Sequence, residues 1–453
     1  MIQALQTLLG PDAVSARNED LTAHSGDKWF ASAMPQAVVF PRSSQEVSSV
    51  LKYAHAEKIP VTTRGAGVGY VGGCVPLHGG IAMSMMRMNR IKEINPADGV
   101  AVVEPGVITG ELQEAVRKLG WFYPPDPASL KECSLGGNIA SNAGGPRCLK
   151  YGVTRHYVLG LEAVLADGTI ARVGGRCHKN KTGFDLVGLF VGSEGLLGVV
   201  TEATLRILPH PPTRSMISAG FANFGAVAAA VQRILGSGFL PSALEIADKF
   251  TLRAAREYLG ESVTPKGDAH LLVEIDGHEE SVRSELKLLT KLVEEAGAVQ
   301  IEAAEGEAGC ERFWKLRREF SYSLRNTGLI KLNEDIVVPR GQLVQLVEFA
   351  EQLQAKHGFP VACFGHAGDG NIHVNVMVPN MDEQPIKERA EAALDELFKF
   401  VIATGGAITG EHGIGIAKQR WFADALHPGA MHLHHVLKDA LDAEGILNPG
   451  KIL

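Results

Sequence analysis

The chain has 453 residues, 45% apolar and 21% charged, with a net charge of −7; that length exceeds one hydrophobic core, so two or three domains are expected. The acidic balance excludes nucleic acid as a partner, and no apolar run approaches the roughly 18–20 residues of a membrane span. Six scattered cysteines (Cys74, Cys133, Cys148, Cys177, Cys310 and Cys363) with no CxxC pair exclude a structural zinc site or an iron–sulfur cluster.

The opening MIQALQTLLGPDAV has no basic region followed by an apolar stretch and a cleavage site. A reduced cytoplasmic setting is therefore expected, with peripheral attachment at the inner membrane compatible with it. Ile2 to Leu9 reads as a short helix. Ala37–Phe40 is an apolar strand closed by Pro41; Ser43 or Ser44 caps a helix with Val47, Val50, Leu51 and Ala54 at helical spacing; Ile59–Thr63 is a second strand. Strands follow at Ile81–Met85, Val100–Val103, Leu159–Ala166 and Thr169–Val173, with turns at Asp98–Gly99 and Asp167–Gly168. LPHPPT breaks the pattern near Pro209–Pro212. Beyond it, helices are expected at Phe224–Leu235, Ser281–Ala296 and Gln342–His357, and strands at Leu271–Ile275 and Ile330–Val338, an α+β domain with an antiparallel sheet.

Three small-residue segments stand out in the N-terminal half. RGAGVGYVGG (Arg64 to Gly73) follows a buried strand, and a strand running into glycines exposes amides that bind phosphate oxygens. Pro76 and further glycine follow instead of a helix, so this is not a Rossmann turn. With CSLGGNIASNAGGPRCLKYG (Cys133 to Gly152) and FVGSEGLLGVVTEATL (Phe190 to Leu205), it suggests backbone wrapping a large, planar, phosphate-bearing ligand.

Two C-terminal segments carry the second signal. FGHAGDGNIHVN (Phe364 to Asn375) places His366 and His373 on either side of a turn between apolar runs, and TGEHGIG (Thr409 to Gly415) adds Glu411 and His412. One histidine alone is more often a satisfied polar residue than a ligand. Two imidazoles and a carboxylate amid glycines match the donor set for a borderline divalent cation with a position left open. His427, His432, His434 and His435 lie in no such loop and are expected at the surface or as helix caps.

The ordered motifs PRSSQEV, RGAGVGYVGG, PPDPAS, GGNIASNAGG, KYG, LADG, GSEGLLGVVTEATL, GHAGDGNIH, GEHGIG and ILNPGK span nearly the whole chain. The chain resembles the vanillyl-alcohol oxidase/p-cresol methylhydroxylase type of FAD flavoprotein, and within it the 2-hydroxy-acid dehydrogenases acting on D-lactate, glycolate or D-2-hydroxyglutarate. The resemblance implies an α+β fold: a two-part PCMH-type FAD-binding domain over 1–212, a substrate (cap) domain with an antiparallel sheet over 213–420, and a helical segment over 421–453 returning to the FAD domain. It implies that Arg64, Gly65, Ala66, Gly67, Val68, Gly69, Gly72 and Gly73 wrap the FAD pyrophosphate. Pro125, Asp126, Ser129, Gly136, Gly137, Asn138, Ser141, Asn142, Gly144 and Gly145 would line the flavin and ribityl chain. Gly192, Ser193, Glu194, Gly195 and Gly198 would close the adenine side, and Asn448 would return to the cofactor. Val68 stands where some relatives carry the histidine that attaches FAD covalently, implying non-covalent FAD. Leu196 replaces a common threonine, which weakens any hydroxyl contact there.

By the same resemblance, His366, His373 and Glu411 ligate a divalent metal, zinc or manganese, and His412 is the base. Arg317, with Ser321 one turn on, would bind the substrate carboxylate, with Lys331 a weaker candidate and Asn375 a substrate contact. The implied reaction is hydride transfer from a small D-2-hydroxy acid (D-lactate or glycolate type) to flavin N5. Electrons would pass to an iron–sulfur subunit, an electron-transfer flavoprotein, a cytochrome or a quinone. A homodimer is compatible with this. D-2-hydroxyglutarate is the alternative substrate. A silent flavin-binding partner subunit of a larger oxidase should lose the His–His–Glu–His set, which this chain keeps. An alkyl-glycerone-phosphate synthase shares the flavin loops but matches PPDPAS and KYG less well, and a metal hydrolase leaves the N-terminal half unexplained.

Overall fold

The helix expected after Pro41 forms over Ser44–Ala56. Ser43 Oγ accepts from the Glu46 amide (3.2 Å), and the Glu46 carboxylate reaches back to the Arg42 amide (2.7 Å). Its apolar stripe of Val47, Val50, Leu51 and Ala54 is fully buried, in one core with Leu5, Val39, Ile81, Met83, Ile446 and Leu447. The computed structural model describes residues 1–453, and the packing of the chain separates two units. The first contains Met1–Gly144, Gly152–His210 and Glu411–Leu453; the second contains Gly145–Tyr151 and Pro211–Gly410.

The first unit holds two main sheets. In the smaller, Ala37–Val39, Ile81–Ser84 and Val61–Arg64 run parallel, with Val14–Ser15 antiparallel at the edge. The larger is antiparallel, in the order Ile91–Asn95, Val100–Val103, Val199–Arg206, Val158–Val164, Ile170–Gly174. The chain end returns alongside Val61: the Val61 amide donates to the Ile446 carbonyl and the Asn448 amide to the Val61 carbonyl, both at 2.8 Å. That contact fixes the terminal NPGK segment beside the strand from which the first glycine loop emerges.

The second unit is built on a seven-stranded antiparallel sheet. Its order is Gln300–Glu305, Thr213–Phe221, Ala269–Gly277, Ala243–Ala247, Val361–His366, Asn371–Val378, Ile330–Val337. Every residue of Val361–His366 and Asn371–Val378 is buried, so both faces are covered there. The helices Lys249–Leu259 and Gly306–Arg325 cover one face through Leu252, Ala255, Leu316, Phe320 and Leu324 against Ala247, Ala362, Phe364 and Met377. The helices Phe224–Leu235, Glu279–Glu295, Leu343–His357 and Gln384–Ala403 pack against one another and on the sheet as a second layer. The α+β class and the antiparallel sheet thus match expectation, and helix Phe224–Leu235 has the bounds read from its periodicity. No helix is long and apolar enough to cross a membrane, and all six cysteines are free.

The short segment Gly145–Tyr151 is fastened to this sheet by charge. Arg147 forms a two-pronged contact with Glu274 (2.7 and 3.0 Å), and Tyr151 Oη donates to Asp276 (2.7 Å), which also pairs with Lys150. Glu274 is fully buried and also accepts from Arg214 (2.8 Å), Trp314 Nε1 (2.6 Å) and Ser242 Oγ (3.1 Å). Burial alone would raise its pKa; Arg147 and then Arg214 outweigh that and hold it at about 2. Replacing Glu274 by Ala removes the one carboxylate shared by the half-buried Arg147 and Arg214 and the buried Trp314, although Arg214 keeps Glu307 (2.9 and 3.0 Å). Urea unfolding of the second unit should show a loss of about 3–5 kcal/mol, and a loss below about 1 kcal/mol would contradict this role.

Candidate functional site

In the first unit, the chain leaves the strand Val61–Arg64 into the glycine loop. Arg64 turns back, its Nη1 donating to the Gly26 carbonyl and to Cys74 Sγ (3.4 Å). The amides of Gly67, Val68 and Gly69 meet no acceptor in the chain. Consecutive amides left open in this way form a nest for phosphate oxygens. The Ala66 amide is tied instead to Ser134 Oγ (3.4 Å), which joins this loop to the start of the helix Leu135–Ser141.

Several side chains expected to line the cofactor are engaged by the fold. Asn138 Nδ2 donates to Thr109 (2.6 Å), Ser141 Oγ to the Gly137 carbonyl (3.1 Å) and Ser193 Oγ to the Phe190 carbonyl (2.8 Å). Gln113 Nε2 holds the Pro125 carbonyl (2.8 Å), the Ser129 carbonyl accepts from the Cys133 amide (2.8 Å), and Asp126 is buried. Gly136 packs against Pro105, Gly198 lies against Phe190, and Gly145 belongs to the second unit, its amide on Cys148 Sγ (3.1 Å). Five non-glycine residues adopt positive φ, and three of them lie on these segments: Asn142 (φ 51°), Glu194 (φ 48°) and Asn448 (φ 46°). Strain of this kind persists where surrounding structure enforces it, commonly at binding sites.

The Glu194 carboxylate accepts from the Ile414 and Gly415 amides (2.7 and 2.8 Å), so it clamps the GEHGIG loop; burial pushes its pKa up against those two bonds. Asn448 Nδ2 donates to the Gly73 and Glu194 carbonyls (3.0 and 2.7 Å), cross-linking the first and third glycine segments. Its Oδ1 and the Lys451 ammonium are buried with no partner in the chain. Burial pulls Lys451 down to about 8, while Cys74, Asp27 and Glu194 favour its charge. A buried cation without a partner, in the unit that carries the open amides, fits an anionic dinucleotide. Sequence reading missed Lys451, although the signal was a single lysine between apolar Leu447 and Ile452 in ILNPGKIL. His412, in the same unit, lies with its ring 5.5 Å from that of Tyr70.

In the second unit, the chemistry lies in rows across one sheet face. Register pairs Glu245 with His366 and His366 with Asn371; the next row joins Ala247, Phe364, His373 and Asp335, and the next Ala362, Asn375 and Asn333. Glu245 is 1% exposed; its Oε1 accepts from His366 Nδ1 and its Oε2 from Arg317 Nε, both at 2.5 Å. Burial opposes its ionisation, but His366 and then Arg317 hold the carboxyl at about 2. The Arg317 guanidinium lies 4.9 Å from the Phe364 ring centre. His373 lies 5.6 Å from the His366 ring, centre to centre. The turn between their strands is tight because Gly370 (φ +86°) passes Val338, whose carbonyl oxygen would lie 2.1 Å from any Cβ there.

Asp335, opposite His373, accepts from Asn371 Nδ2 (2.6 Å), Thr409 Oγ1 (3.0 Å) and the Gly410 amide (2.9 Å). Gly410 is therefore pinned in that row, and Glu411 is its neighbour along the chain. Asn375 is fully buried; its Nδ2 serves the Ala362 and His373 carbonyls (3.0 Å each), leaving Oδ1 without a partner. Lys331 Nζ donates to Ser321 Oγ (2.8 Å), and burial pulls it down to about 8, helped by Arg325 and Arg317. Glu245 and Asp335 escaped sequence reading. For Glu245 the signal was a lone acid inside a strand of apolar neighbours, ALEIA; Asp335, next to Glu334 in KLNEDIVV, carried no such signal.

Comparison with known proteins finds relatives along nearly the whole chain. Residues 35–174 match the family model described as an FAD binding domain, and 210–452 that of FAD linked oxidases, C-terminal domain. The chain is 39% identical over 422 residues to the glycolate oxidase subunit GlcD of Bacillus subtilis, covering 93% of this chain and 89% of that protein. It is 35% identical over 442 residues to the D-lactate dehydrogenase of Anaerostipes hadrus, covering 96% and 93%. Among solved structures, the 4-ethylphenol oxidase of Gulosibacter chungangensis shares the fold at a TM-score of 0.80 and 21% identity, covering 100% of this chain and 96% of that one.

The GEHGIG loop supplies a direct test of the first unit. Gly413 has φ +86°, and a Cβ there would lie 2.6 Å from Glu194 Oε1. Gly413→Ala should displace the Glu194 clamp and weaken FAD binding roughly tenfold or more. Flavin retained after gel filtration measures this; full retention would contradict the clamp's role.

Proposed function

We propose that this chain, which belongs to the FAD-linked oxidases, oxidises a small D-2-hydroxy acid of the D-lactate or glycolate type to the 2-oxo acid, using non-covalent FAD and a divalent metal. The observation that carries the reading is the cluster of Glu245, His366 and Arg317: one buried carboxylate holds both an imidazole and a guanidinium. His366, His373 and Glu411 would hold the zinc or manganese ion, two imidazoles and one carboxylate matching its donor preference. Arg317, engaged by Glu245 only through Nε, keeps its two Nη groups for the substrate carboxylate. His412 accepts the hydroxyl proton, a task suited to an imidazole near neutral pH. When bound, the cation lowers the hydroxyl pKa and the flavin takes up the hydride. Gly67, Val68 and Gly69 offer amides to the pyrophosphate, and Val68 has no side-chain nucleophile for covalent attachment. Reoxidation falls to a protein or quinone acceptor; the Bacillus relative is itself named as a subunit.

Anaerobic mixing with glycolate, D- and L-lactate and D-2-hydroxyglutarate tests the reading. Flavin bleaching by a D-acid or glycolate and not by L-lactate, abolished by chelator, is the expected result. Bleaching by none, whatever the metal added, would sink it. His412→Ala should slow flavin reduction about 10²–10⁴-fold while FAD stays bound; an unchanged rate removes that residue from the base role.

One observation favours a dicarboxylate such as D-2-hydroxyglutarate: Lys331 is a second, half-buried cation on the sheet face that carries Arg317's partner Glu245. Because its pKa is about 8, its charge is present below that pH and lost above it. The KM for D-2-hydroxyglutarate should then rise as pH passes 8, and Lys331→Met should raise KM at neutral pH and flatten the profile. A KM indifferent to both leaves the monocarboxylate reading alone.

A further inference from the structure

Glu245 sits on the strand Ala243–Ala247, where every residue is buried. An isolated carboxylate in such a place would be strongly unfavourable, so its partners define its purpose. It has two, from different elements: His366 comes from the neighbouring strand in direct register, and Arg317 from the helix Gly306–Arg325. The bland reading is a structural ion pair. Buried pairs are poor sources of net stability, and an apolar substitute of similar volume often does as well. The geometry is more specific than that reading requires. Oε1 occupies Nδ1 of His366, leaving Nε2 as that ring's donor atom, and Oε2 occupies Nε of Arg317, leaving the Nη pair. Phe364, beneath the guanidinium at 4.9 Å, holds its plane.

We infer that Glu245 is a shared positioning residue: one buried carboxylate fixes the tautomer and direction of the metal ligand His366 and, through its other oxygen, the orientation of the carboxylate-binding Arg317. The inference rests on the metal and substrate roles proposed above. It makes metal affinity and substrate-carboxylate affinity depend on the same side chain, so that disturbing it changes both, whereas disturbing Arg317 changes one.

The test is Mn²⁺ titration of the FAD-loaded protein, followed by EPR without substrate, combined with steady-state KM for D-lactate. Glu245→Gln, which removes the charge and sets an amide donor against either Nδ1 or Nε, should weaken Mn²⁺ binding roughly 10–100-fold and raise KM. Arg317→Gln should raise KM and leave Mn²⁺ affinity unchanged. Should Glu245→Gln fail to fold, Glu245→Asp keeps the charge while withdrawing it by one methylene, and should weaken both affinities to a smaller extent. Wild-type Mn²⁺ affinity in a folded Glu245 variant overturns the inference while leaving the metal reading intact. A wild-type protein that takes up no Mn²⁺ overturns the metal reading itself, and this inference with it.

Discussion

A carboxylate in a dry protein interior must be matched by charge and hydrogen bonds, and the second unit is organised around that requirement. Glu245 and Glu274 lie on adjacent strands of one sheet, both almost wholly buried, and each gathers cations and N–H donors from elements distant in sequence. Glu274 gathers Arg147, Arg214 and Trp314, and so secures the segment Gly145–Tyr151 to the sheet. Glu245 gathers His366 and Arg317 and so arranges the groups proposed to meet metal and substrate. Asp335 repeats the device one row further, fixing Asn371, Thr409 and Gly410 ahead of Glu411. Three acids on one sheet face thereby convert strand register into the placement of reactive groups.

The first unit works by the opposite means, leaving backbone groups open. The amides of Gly67 to Gly69 have no acceptor, while Asn448 and Glu194 cross-link the surrounding loops with side-chain hydrogen bonds. Residues at positive φ are held there by those cross-links, so the loops keep their shape without a regular sheet or helix at the cradle itself. Lys451 and Asn448 Oδ1, buried and unmatched by the chain, supply the polarity that an anionic cofactor would satisfy.

Local signals in the sequence revealed much of this. Ser43 and the stripe from Val47 to Ala54 marked one helix, and short apolar runs beside turn residues marked strands such as Ile81–Ser84 and Val100–Val103, because caps and turns are decided within a few residues; Thr213–Phe221, Ala243–Ala247 and Gln300–Glu305 were not read. The order of the seven-stranded sheet was not legible, since it depends on pairings such as Glu245 with His366, 121 residues apart. The same limit hid Glu245 and Asp335: in a one-dimensional reading the first is a lone acid in an apolar run and the second one of two adjacent acids, and only the fold supplies their partners. It also obscured what named residues do. Arg317 reads as a carboxylate ligand, and the fold adds that Glu245 holds its Nε and leaves the Nη groups for that task; Asn375 reads as a substrate contact, and the fold adds that its amide nitrogen holds two carbonyls while Oδ1 has no partner. Glu194 reads as part of the adenine wall, yet its carboxylate grips the amides of Ile414 and Gly415.

The central claim is that the His–His–Glu–His set and the flavin loops serve one reaction, removal of hydride from C2 of a hydroxy acid with metal-assisted loss of its hydroxyl proton. Stopped-flow reduction of the bound flavin by D-lactate and by its C2-deuterated form, in metal-loaded protein, tests this most directly. A primary isotope effect on flavin reduction is expected, and it should disappear along with the reduction itself when the metal is stripped. Reduction at equal rates with both isotopologues, undiminished in stripped protein, would contradict it.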